Sequence, residues 1–168
     1  LRFRDAENDH EKIQQESIFL IDQWCAEYEN KIRSMGGIGF FLGGIGPDGH
    51  IAFNVRGSDH NSTTRLTTTN FETQAAAAID LGGIEISRNR LVITIGLGTI
   101  THNPEATGII IAAGEGKAKI IKKSLENKPD VKFPATALSK LKNSCFYITK
   151  GASKCLKDYE IDYWQNGT

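Results

Sequence analysis

Asp48 and His50 stand two residues apart in a stretch that also holds Gly43, Gly44, Gly46 and Gly49. An imidazole can take or give a proton near neutral pH, and a carboxylate beside it can orient the ring and support its protonated form. The glycines let backbone approach a ligand closely, and Pro47 restricts the turn. This spacing suits a proton shuttle acting on a small polar substrate. It also suits a plain turn in which Asp48 caps the following residues and His50 is satisfied by backbone, and the pair alone leaves both readings open. A second candidate is Lys117, which follows Gly114-Glu115-Gly116. At a helix start, amides and the helix dipole favour negative charge, so a lysine there suits an anion such as phosphate. A solvated surface lysine is the alternative.

These residues need rigid elements behind them. Residues 38–42 are a short apolar run bounded by glycine and read as a strand buried on both faces, with the loop 43–49 leaving its end. Residues 90–95 read as a second strand, 107–113 as a third and 145–149 as a fourth. Ahead of them, apolar residues recur at three and four from Asp9 to Ser34, the pattern of a long amphipathic helix that Gly36-Gly37 ends. Further helices are expected over 70–78, capped by Thr69 or Asn70, over 117–127, and over 134–141. The polar run 58–69 reads as an exposed segment.

Apolar strands alternating with helices imply an α/β fold with a mainly parallel, Rossmann-like sheet flanked by helices. The runs 40–42, 91–95 and 109–112 are expected to be neighbours or near neighbours in it. In such sheets ligands bind at the carboxyl edge, where the two glycine-rich junctions would lie.

Twenty basic residues balance twenty acidic ones in a chain of 168, so no net field favours nucleic acid or an anionic membrane. No apolar stretch approaches the length of a membrane span, and residues 1–5 lack a signal-peptide apolar core. A cytoplasmic protein with reduced thiols at Cys25, Cys145 and Cys155 is expected, because three cysteines without metal-type spacing match neither a disulfide framework nor a zinc site. One domain accounts for residues 1–168. Because the chain opens on Leu1 inside a charged, helix-forming stretch, it is expected to be an N-terminally truncated piece of that domain.

The string Gly44-Ile45-Gly46-Pro47-Asp48-Gly49-His50-Ile51-Ala52-Phe53-Asn54 resembles the active-site segment of glucosamine-6-phosphate deaminases. The related 6-phosphogluconolactonases share its first part, but Ile51-Ala52-Phe53-Asn54 favours the deaminase branch. Weaker agreement follows in order at Ser62-Thr63-Thr64-Arg65-Leu66, at Thr94-Ile95-Gly96-Leu97-Gly98-Thr99-Ile100, at Gly114-Glu115-Gly116-Lys117-Ala118 and at Pro134-Ala135-Thr136-Ala137-Leu138. The resemblance implies release of ammonia from glucosamine 6-phosphate to give fructose 6-phosphate, without a cofactor or metal, by a homo-oligomer. It implies catalytic roles for Asp48 and His50, and substrate contacts from Gly44, Gly46, Gly49, Asn54 and Lys117. Ser58 and Arg65 match effector-site positions, although Thr67 stands where a lysine is common.

The sequence departs from the family pattern in two places. Val55 occupies the position of a glutamate that supports the catalytic histidine, which leaves Asp48 or Asp59 to orient His50. The stretch Ala75-Ala76-Ala77-Ala78-Ile79 lacks the family's phosphate-binding arginine, for which Arg88 or Arg90 is the nearest replacement. The family's C2 base and Ser/Gly/Thr phosphate loop would precede Leu1. A lactonase and a sugar-phosphate-binding regulatory module without turnover are the alternative functions.

Overall fold

The computed structural model describes residues 3–79, 82–88 and 90–157, so the tail of the expected 1–168 domain lies outside the described residues. Helix α1 spans Asp9–Ser34. Asn8 caps it by accepting a hydrogen bond from the Glu11 amide, acidic residues fill its first turn and basic ones its last. It ends where Gly36 and Gly37 both take positive φ, with the Gly37 amide donating to the Ile32 carbonyl.

Strands β1 (Phe40–Gly44), β4 (Thr107–Ala112) and β5 (Asn143–Ile148) form a parallel sheet in the order β1-β4-β5. One face of it holds the core: Phe41, Ile110, Ala112, Phe146 and Ile148 pack with Ile45, Leu97, Ile100, Ile121 and Leu138. The other face departs from the sequence expectation, because Phe40, Leu42, Ile111 and Tyr147 are each more than half exposed among the described residues. Apolar content on both faces makes the run continuous, but the described elements cover only one of them.

A second correction concerns the run at 90–95. Its strand, β3 (Val92–Thr94), does not join the parallel sheet; it pairs antiparallel with β2 (Arg65–Thr67), Arg65 opposite Thr94. The outward Leu91 and Ile93 are apolar because, with Leu66, they line a groove shared with Ile13, Ile18 and Ile21 of α1. The existence of β2 also corrects the reading of 58–69 as exposed, since His60, Thr64 and Leu66 are buried.

Short helices complete the chain: α2 (Phe71–Ala77), α3 (Ile84–Arg88), α4 (Leu97–Ile100), a 3-10 turn at Glu115–Lys117 leading into α5 (Ala118–Glu126), and a 3-10 helix at Pro134–Lys140. Among the described residues no helix is long and apolar enough to cross a membrane.

Candidate active site

β1 and β4 are parallel neighbours with Gly44 opposite Ile111, so the loops that follow them emerge at the same sheet edge. The loop after β1 is a hydrogen-bonded turn. The Gly46 amide donates to the His50 carbonyl at 2.9 Å, the Gly49 amide to the Gly46 carbonyl at 3.1 Å, and the Ala135 amide to the Gly49 carbonyl at 2.9 Å. Gly49 needs its freedom, because its φ is +85° and a Cβ there would meet Ile120. Gly46 is required for a different reason: a Cβ would lie 1.9 Å from the His50 ring, so the imidazole rests directly on its backbone. Ala52, just beyond, is the one non-glycine among the described residues with positive φ, at 51°. It stores local strain just beyond the turn that carries Asp48 and His50.

Within this turn the Asp48 side chain is fully buried and every direction around its carboxylate is engaged. Oδ1 lies 2.6 Å from His50 Nδ1, while Oδ2 accepts from the Arg56 amide at 3.1 Å and from Asn70 Nδ2 at 2.6 Å. Burial alone would raise this carboxyl, but hydrogen bonds from His50, Arg56 and Asn70 outweigh it and hold it well below the usual carboxylate range. Asp48 is therefore ionised. An ionised oxygen at 2.6 Å requires the proton on Nδ1, which leaves Nε2 as the nitrogen that exchanges a proton with a further partner. Thr73 Oγ1 lies 3.2 Å from the same Nδ1 as a second, weaker acceptor.

Asp48, not Asp59, orients His50; Asp59 instead accepts from the Asn61 amide at 2.8 Å. Lys117 reaches across from the loop after β4 and donates to the Ile45 carbonyl at 2.7 Å, between β1 and the Asp48 turn. Burial lowers the Lys117 ammonium from its ordinary value and the charge of Asp48 partly restores it, so the two loops share one electrostatic environment. Arg88 ion-pairs with Glu85 at 3.7 Å on α3, and Ile79 is almost fully exposed.

Asn54 is fully buried, and its amide is saturated by protein. Nδ2 donates to the carbonyls of Ile51 at 3.0 Å and Ile95 at 2.8 Å, and Oδ1 accepts from Arg65 Nη1 at 2.9 Å. It ties the turn to the strand pair behind it. Arg65 also donates to Ser58 Oγ at 3.3 Å, which brings the two expected effector residues together.

No family model matches the chain. A glucosamine-6-phosphate deaminase from Borreliella afzelii is 37% identical over 146 residues, covering 87% of this chain and 54% of the relative. A glucosamine-6-phosphate isomerase from Candida albicans is 39% identical over 119 residues, 70% of this chain and 48% of the relative. Over that half, this chain is similar to glucosamine-6-phosphate deaminases. A solved monomeric deaminase of that kind matches its fold with a TM-score of 0.72 and 30% identity, over 80% of this chain and 54% of that one. A 6-phosphogluconolactonase from Trypanosoma cruzi, at 20% identity and a TM-score of 0.56, shares the fold. The chain spans about half the length of the curated relatives it matches.

Three residues of this site escaped sequence reasoning. Asn70 was legible as a helix cap, and it is one, but its second role as a donor to Asp48 depends on a contact across 22 residues. Thr73, which no local pattern singled out, reaches His50 across 23 residues. Glu29, buried on α1, accepts from the Thr64 hydroxyl and from Thr99 Oγ1 at 2.7 Å, and so pins the segment before Arg65 to the α4 turn.

Proposed function

We propose that the protein acts on glucosamine 6-phosphate, adding water and releasing ammonia to give fructose 6-phosphate. The observation that carries this reading is the ionised Asp48 holding His50 by its Nδ1, at the sheet edge shared with Lys117. His50 Nε2 would exchange protons at the sugar oxygens during ring opening, and Asp48 would stabilise the imidazolium that forms. The C2 proton is not assigned to Asp48, because its Oδ1 is taken by His50 and its Oδ2 by Arg56 and Asn70. Lys117, just before α5, would bind the phosphate in exchange for its contact with Ile45. Gly44, Gly46 and Gly49 would let the sugar approach the backbone.

The same reading makes Ser58 and Arg65 an effector-binding pair, places the reaction in the cytoplasm with neither nucleic acid nor membrane as partner, and needs no cofactor. Homo-oligomer formation is checked by light scattering; the solved relative is described as monomeric. The test is ammonia release from glucosamine 6-phosphate. Hydrolysis of a 6-phosphogluconolactone without ammonia release would favour the lactonase reading, and binding without turnover the regulatory module.

A further inference from the structure

Val55, which follows Asn54, offers no polar group to a histidine, yet the His50 ring is held by Asp48 at 2.6 Å. We propose that Asn70 and Thr73, at the start of α2, are the positioning residues that do this work. The proposal rests on the deaminase reading for its substrate but not for its geometry. Asn70 uses both ends of its amide. Oδ1 accepts from the Thr73 amide at 3.0 Å and caps α2, while Nδ2 donates to Asp48 Oδ2 at 2.6 Å. The residue that starts the helix thus also fixes the carboxylate, turning Oδ1 toward His50.

Thr73, one turn on and buried, brings its hydroxyl to 3.2 Å from His50 Nδ1. With an ionised Asp48 on one side and a hydroxyl oxygen on the other, the Nδ1 proton has two acceptors and the ring has one favoured tautomer. Neither residue needs to touch substrate. Each acts through the orientation and tautomer of His50, with the backbone of Gly46 as the surface on which the ring lies.

Capping and carboxylate support can be separated, because serine caps a helix about as well as asparagine but cannot donate an amide proton to Asp48. Four variants are compared in the protein: Asn70→Ser, Asn70→Ala, Thr73→Val and Thr73→Ser. Two readouts are taken: the His50 tautomer from its ring nitrogen chemical shifts, and kcat and KM for ammonia release. Asn70→Ser and Asn70→Ala should both lower kcat by about 10-fold to 100-fold with KM little changed, and both should raise the Nε2–H fraction of His50. Thr73→Val should do the same to a smaller degree, and Thr73→Ser should recover most of that loss.

Unchanged kcat and tautomer in Asn70→Ser, with losses confined to Asn70→Ala, would reduce Asn70 to a cap and overturn the proposal. An unsubstituted protein that releases no ammonia would sink the deaminase reading alone. The tautomer comparison would still decide the positioning role.

Discussion

The loop after β1 and the loop after β4 leave the same sheet edge from neighbouring parallel strands, yet they are built on opposite plans. The first is closed: Asp48 is fully buried with donors from three residues on its carboxylate, and Asn54 is saturated behind it. The second is open: a Cβ at Gly114 or Gly116 would meet nothing within 4 Å, and Lys117 extends a flexible stem to a single carbonyl. The proposed roles fit this contrast. Moving a proton requires one nitrogen at one angle, which many hydrogen bonds can fix. Holding a phosphate requires only a positive charge within reach, which a lysine on a flexible stem supplies.

The largest expected effect tests the closed loop. His50→Gln should lower turnover by about 100-fold to 10,000-fold while leaving KM nearly unchanged, because the side chain keeps its polarity and loses its proton exchange. Steady-state ammonia release reads this directly. Equal loss with a closed-ring substrate and an open-chain analogue would remove the ring-opening role from His50.

Lys117→Ala should act on affinity instead. Loss of a charge-assisted contact is worth about 2 kcal/mol or more, so binding of the phosphorylated sugar should weaken about 30-fold by calorimetry while the dephosphorylated sugar is barely affected. Equal weakening of both sugars would make Lys117 part of the scaffold and erase the contrast between the loops.

A smaller effect separates the glycines. Gly46→Ala puts a Cβ into the space of the His50 ring and should cost about 1–3 kcal/mol of stability, together with turnover. Gly116→Ala meets open space and should change stability by less than about 0.5 kcal/mol. Denaturant midpoints for the two variants give the comparison; equal losses would show that the second loop is as tightly packed as the first.

Local signals account for what the sequence made legible. The ends of α1 followed from its apolar period and the Gly36-Gly37 stop, and the parallel strands β1, β4 and β5 from short apolar runs between turn residues. The run at 91–95 misled for the same reason, since an apolar outer face looks identical whether it meets a second helix layer or, as at Leu91 and Ile93, the groove beside α1. In the site, Asp48, His50 and Lys117 carry recognisable motifs. Glu29, Asn70 and Thr73 do not, because their contacts span 70, 22 and 23 residues, and no periodicity reports a pairing at that range.

The smallest effect concerns a buried side chain that, unlike Asp48 and Asn54, is not saturated. His60, buried near Asp130 and Lys140, has no hydrogen-bond partner for Nε2 among the described residues. Burial lowers its imidazole below the ordinary value, Lys140 lowers it further, and a backbone hydrogen bond with Asp130 and the charges of Asp59 and Asp130 only partly oppose this. The folded chain therefore binds the His60 proton less readily than the unfolded chain, whose histidine titrates near 6.5. As pH falls through that value the unfolded state takes up the proton first, so stability is full above about pH 7 and declines below it until the folded value is passed. Burial would raise Asp48 and Glu29, but their hydrogen bonds lower both, so they lose their contributions only below about pH 5 and do not share this window. His60→Gln should flatten the decline between pH 7 and pH 5.5, by less than about 1.4 kcal/mol per pH unit. Urea midpoints at the two pH values measure it. An unaltered slope would mean that the buried His60 site admits the proton without cost.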